Sequence, residues 1–117
     1  MVDTRTRQCF ERRRHRTRLP ARITAKIVPG ESSLPVLCTV YEISPGGARL
    51  QLFKRVAIPT AFWLKLDGGT YMYRCTTVWM QGASTGVEIG FDHRSAWWEH
   101  SQRAARKVRA GAGPLSA

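Results

Sequence analysis

The chain is 117 residues long, with 43% hydrophobic and 23% charged residues and a formal net charge of +11. That length holds one domain with its own core and excludes a multidomain enzyme, and the composition is that of a folded chain. No apolar run approaches the roughly 20 residues of a membrane-spanning helix, and the opening MVDTRTRQCF lacks a signal-like apolar stretch, so a cytoplasmic location without membrane insertion is expected.

The first element is a basic arm. Residues 1–26 hold nine Arg or Lys against Asp3 and Glu11, a net +7, leaving +4 for the rest. Such an excess draws nucleic acid, anionic lipid and nucleotides alike. Residues 1–18 show no apolar periodicity and read as a mobile arm. It contains Arg12-Arg13-Arg14-His15-Arg16-Thr17-Arg18. Arginines four apart present planar forks to phosphates and to guanine O6 and N7, which lysine does not match. Both Arg14 with Arg18 and Arg12 with Arg16 satisfy that spacing. Without further motifs the plainer reading is a solvated arm serving solubility or loose polyanion binding.

From Ala21 the pattern changes. Ala21, Ile23, Ala25 and Ile27 alternate with Arg22, Thr24 and Lys26, predicting a half-buried strand that ends in the turn Pro29-Gly30-Glu31-Ser32-Ser33. A second strand follows over Val36 to Ile43. The turn Ser44-Pro45-Gly46-Gly47 leads to a third, in which Ala48, Leu50 and Leu52 form the apolar set. Phe62, Leu64 and Leu66 repeat the alternation, Asp67-Gly68-Gly69 makes a turn, and Tyr71 to Met80 predicts the longest strand, pairing with Gly86 to Phe91. Short strands joined by brief turns imply a mainly β, antiparallel barrel over residues 19–91. Trp97, Ala104, Ala105 and Val108 then recur at near-helical spacing, predicting an amphipathic helix within 92–110, and 111–117 reads as a disordered tail.

Isolated polar residues carry little chemistry. Cys9, Cys38 and Cys75 are an odd number without CxxC spacing, so no disulfide or zinc is expected, and Cys38 and Cys75 read as reduced strand residues. His15, His93 and His100 lack ligand or catalytic company, so neither an enzyme nor a metal or other cofactor is expected. Trp79 reads as packing in the barrel or at its rim. Trp97 and Trp98 point about 100° apart on a helix, so only one can be fully inward and the other is free to anchor a partner.

The arginine cluster, followed by Glu42-Ile43-Ser44-Pro45-Gly46-Gly47, resembles the PilZ domain, a bacterial receptor for the second messenger cyclic di-GMP. Its signature is RxxxR followed by (D/N)xSxxG on a small β-barrel. The likeness extends through Arg74-Cys75-Thr76-Thr77-Val78-Trp79 to Gly86-Val87-Glu88-Ile89-Gly90-Phe91. The resemblance implies that Arg14 and Arg18 contact phosphates and guanine edges, with Arg18 directly before Leu19-Pro20 as in the family. It implies that Arg13 supports a stacked ligand and that the arm wraps over it. Ser44 and a carboxylate at position 42 would meet the guanine N1 and N2 donors beside Gly46 and Gly47. Glu42 departs from the motif by one methylene. Two rivals are a PilZ-like interaction module without nucleotide binding, favoured by Glu42, and a basic nucleic-acid binder, which would want regular surface aromatics that are missing. A downstream protein partner is expected; specific nucleic-acid binding is not.

Overall fold

The computed structural model describes residues 18–30 and 34–116, with side chains through residue 107. Among these residues six antiparallel strands close into a barrel in the order β1-β2-β3-β6-β5-β4. They are β1 (Leu19–Val28), β2 (Val36–Ser44), β3 (Gly47–Leu52), β4 (Ala61–Leu66), β5 (Met72–Gln81) and β6 (Ser84–Ile89). A 3-10 turn (Phe91–His93) leads into helix α1 (Arg94–Ser116).

Alternation fills the barrel. Ile23, Ala25 and Ile27 of β1, Ala48, Leu50 and Leu52 of β3, and Phe62, Leu64 and Leu66 of β4 all point inward and are buried. Cys38, Val40 and Ile43 complete the interior from β2, and Tyr73, Cys75, Val87 and Ile89 from β5 and β6. The Cys38 and Cys75 thiols are free and pushed up to about 12 by burial, which holds them in the neutral form a core requires.

Helix α1 covers one end of this core. Trp97, fully buried, donates its indole Nε1–H to the Ser44 carbonyl at 2.9 Å and meets the Tyr73 ring edge-on at 5.2 Å. Ser101 and Ala105 follow on the same helical face, while Trp98 is half-buried beside the core. Two tyrosine–histidine pairs fasten the helix and its lead-in to β5: Tyr73 with His100 Nδ1 at 2.6 Å, and Tyr71 with His93 Nδ1 at 3.1 Å. Burial, with a smaller contribution from Tyr71, pushes the Tyr73 hydroxyl up to about 12, so it stays protonated beside the imidazole. The helix runs to Ser116, through residues expected as a disordered tail. Extending a formed helix needs no new nucleus. Val108, Cys9, His15 and the turn residues 31–33 lie outside the described side chains.

Strict alternation is broken in three places. The register shifts between Pro20 and Ile23 on β1, between Val40 and Glu42 on β2, and between Thr77 and Trp79 on β5. Each shift inserts a residue and reverses which face the next side chains take. Along β2 an even-numbered run, Cys38 and Val40, points inward. After the bulge Ile43 is inward and Glu42 turns outward. Along β5 the odd-numbered Tyr73 and Cys75 are inward, yet Trp79 emerges on the outer wall, 38% exposed. Of the two placements expected for Trp79, in the barrel or at its rim, packing in the interior is therefore not the one observed.

Candidate ligand-binding site

The three bulges converge on one stretch of outer wall. Cross-strand pairing there runs Pro20 to Glu42, Glu42 to Arg49, Arg49 to Gly86 and Gly86 to Trp79, a single row over β1, β2, β3, β6 and β5. Arg18, just before β1, reaches the same row. Its Nε lies 3.5 Å from Glu42 Oε1, which the Arg49 Nε approaches from the other side at 3.2 Å. One carboxylate between two guanidiniums leaves the group at net +1, and a half-exposed location keeps those charges available to solute.

The row ends in an aromatic. The Arg49 guanidinium lies 5.9 Å from the centre of the Trp79 ring. The indole lies across Gly86, where a Cβ would fall 2.2 Å from Trp79 Nε1, so only glycine leaves the slot in which the ring rests. Gly47 has a matching role one strand over: a Cβ there would meet the Val87 carbonyl oxygen at 2.5 Å, and its absence lets β3 and β6 close. Together these residues border a cleft of about 210 Å³ lined by Arg18, Glu42, Ser44, Gly47, Arg49 and Trp79, among others.

The Ser44 turn forms the cleft's floor. Ser44 is 8% exposed, and its hydroxyl donates to the Gly47 carbonyl at 3.3 Å, which leaves the oxygen's lone pairs as acceptors. Gly46, also expected at the site, does not line the cleft; it is buried, and its carbonyl accepts from the Ile89 amide at 2.9 Å. Arg13 and Arg14, like Arg12 and Arg16, lie outside the described residues. Of the expected site residues, the structure thus brings Arg18, Glu42, Ser44 and Gly47 together.

Arg49, Trp79 and Gly86 escaped the sequence reading. Alternation places Arg49 on the outer face, but not opposite Glu42, which only the register of β2 and β3 decides. Trp79 is not placed by alternation, because a bulge of one residue decides its face.

The closed barrel thus carries on its outer wall a cationic, aromatic-edged cleft built from facing strands. The family model of the PilZ domain matches residues 11–102, and the chain belongs to that family. PilZ domains are receptors or adaptors for cyclic di-GMP, binding modules rather than enzymes. No match to the chain is found among curated proteins or among solved structures. Among the described residues no helix is long and apolar enough to cross a membrane, and no group of three His, Cys, Asp or Glu could hold a metal ion.

Proposed function

We propose that this protein is a cytoplasmic receptor for cyclic di-GMP that passes its ligand state to a protein partner. The observation that carries this reading is the row Arg18, Glu42, Arg49, Trp79 beside the Ser44 turn. A guanine entering the cleft finds acceptors for its N1 and N2 donors in the Glu42 carboxylate and the Ser44 oxygen. The two guanidiniums serve its O6 and N7 or the phosphates, and the indole offers an apolar face. Arg13 and Arg14 are assigned to the same ligand from the arm, which folds over it. The arm's lost entropy is offset by charge-assisted hydrogen bonds, and the altered surface is the signal. No bond is made or broken.

Titration calorimetry of the full chain with cyclic di-GMP tests this. Saturable binding at physiological salt is expected, weakened by Arg18→Ala and by Trp79→Ala. Hydrogen exchange should show residues 5–18 gaining protection on ligand addition; equal protection in both states, despite binding, removes arm ordering from the mechanism.

A second reading, an interaction module without nucleotide binding, is favoured by one fact: Glu42 already holds two arginine partners that a ligand must draw away. A wild type without measurable binding, alongside a Glu42→Asp variant that binds, selects this reading.

A further inference from the structure

Across the barrel from the cleft, the wall formed by β1, β4 and β5 carries a second constellation. Lys26 of β1 and Lys65 of β4 are direct cross-strand partners, and both are exposed. Two residues further on, Val28 stands opposite Trp63, and Trp63 opposite Arg74 of β5. The Arg74 guanidinium lies 5.4 Å from the centre of the Trp63 ring, and His93 meets that ring edge-on at 5.9 Å. Beside Trp63 opens a groove of about 420 Å³, walled largely by apolar atoms of Val28, Trp63 and Met72.

The lysine pair is the informative feature. Like charges set directly opposite each other destabilise a sheet, and at this exposed position a neutral or acidic residue would serve the core equally well. Among the described residues neither lysine has an ion-pair partner, although Asp67 borders the same recess. A repulsion of this kind is relieved when an external anion sits between the two ammonium groups.

We propose that this wall docks an acidic polypeptide segment of a protein partner. Carboxylates bridge Lys26 and Lys65, and an aliphatic or aromatic side chain of the same segment enters the groove beside Trp63. The charge complementarity and the adjoining apolar groove fit a protein segment, since interfaces combine a desolvated apolar centre with a polar rim. A nucleic-acid strand wants open aromatic faces and a continuous basic track. Here Arg74 occupies one face of Trp63, and Leu37 and Met72 flank the lysine pair. The site lies at the opposite end of β5 from Trp79, so ligand and partner can be held together.

The test is run on the full chain without nucleotide, so its outcome is separate from that of the cyclic di-GMP reading. The probe is a fluorescein-labelled oligo-glutamate peptide with a central pair of leucines, followed by anisotropy at physiological salt. Lys26→Glu and Lys65→Glu should each weaken binding about tenfold, because reversal removes one attraction and adds a repulsion. The same variants should raise Tm, since each turns a like-charge pair into an opposite-charge pair. Arg106→Glu, an equal charge change on an exposed face of α1, should alter affinity by less than about twofold. Trp63→Ala should weaken the leucine-bearing peptide and leave an all-glutamate peptide unaffected. The proposal is overturned if the wild type does not bind the peptide or if Arg106→Glu costs as much as the lysine reversals. It is also overturned, in favour of nucleic acid, if oligothymidylate of equal charge binds more tightly and responds to the same two lysines.

Discussion

The Trp97 indole nitrogen donates to the carbonyl of Ser44 at 2.9 Å, joining the buried face of the terminal helix to the turn that floors the ligand cleft. Both residues are buried, and the bond bridges 53 positions of sequence. Helix and cleft therefore share a structural member, and a change in one strains the other.

Replacing Trp97 by Phe keeps most of the apolar volume but removes the donor. The Ser44 carbonyl is then left buried without its partner, at a cost of about 1–3 kcal/mol. Chemical denaturation of Trp97→Phe should report a loss in that range, with the far-ultraviolet spectrum unchanged. An unaltered midpoint would mean that the turn holds its shape without the helix.

Gly86→Ala should disturb the cleft and spare the fold. The added methyl occupies the space of the Trp79 ring, whose nearest atom would stand 2.2 Å away, and the indole swings outward because the outer wall leaves it room. Base–aromatic stacking is worth about 1–3 kcal/mol, so affinity for cyclic di-GMP should fall accordingly. Fluorescence assigned to Trp79 should shift to the red as the ring becomes more hydrated. Unchanged affinity would take Trp79 out of the ligand contact.

Shortening Glu42 tests how its ion pairs compete with ligand. Glu42→Asp draws the carboxylate away from Arg18 and Arg49, now 3.5 and 3.2 Å distant, and should retain or tighten cyclic di-GMP binding. Glu42→Ala should weaken it by removing the acceptor. Calorimetry on the two variants distinguishes these effects, and an Ala variant equal to the wild type would exclude a contact between position 42 and the guanine.

In the arm, Arg14→Ala and Arg18→Ala should each weaken binding by about 1–3 kcal/mol, the worth of a bidentate arginine on guanine. If both are silent while Arg12→Ala and Arg16→Ala abolish binding, the alternative spacing is the functional one.

Alkaline pH should destabilise the barrel through three buried groups. Cys38 and Cys75 are raised from 9.0 to about 12 and Tyr73 from 10.0 to about 12. In the unfolded chain they lose protons at the lower values, so from about pH 9 upward the unfolded state binds fewer protons than the folded one. Stability is full below pH 9 and falls as pH rises toward 12. Denaturation midpoints measured across that interval should decline, and a Cys38→Val variant should decline less steeply.

Much of the barrel was legible because burial on one face imposes a period of two. Ile23, Ala25 and Ile27, or Phe62, Leu64 and Leu66, announce both a strand and its inner face. The Ser44 turn was legible through its Pro and Gly residues. What periodicity cannot show is a residue that interrupts it. Glu42 on β2 and Trp79 on β5 owe their outward direction to bulges, and a bulge leaves no mark in composition. Arg49 was hidden for another reason: its role comes from facing Glu42 across strands, a pairing set by register and not by proximity in sequence.

The bulges also make recognition depend on how the strands pair as well as on residue identity. If β2 paired straight through Tyr41, with no bulge, Arg18, Glu42, Ser44 and Gly47 would remain in the chain with every motif letter intact. Strict alternation from Val40 would then send the Glu42 side chain toward the core and turn Ile43 out to water. A carboxylate facing that interior is costly to ionise, so the barrel would either slip its register or unfold. A chain could thus satisfy the family's signature letter by letter and have no cleft, if the single bulge between the letters were lost.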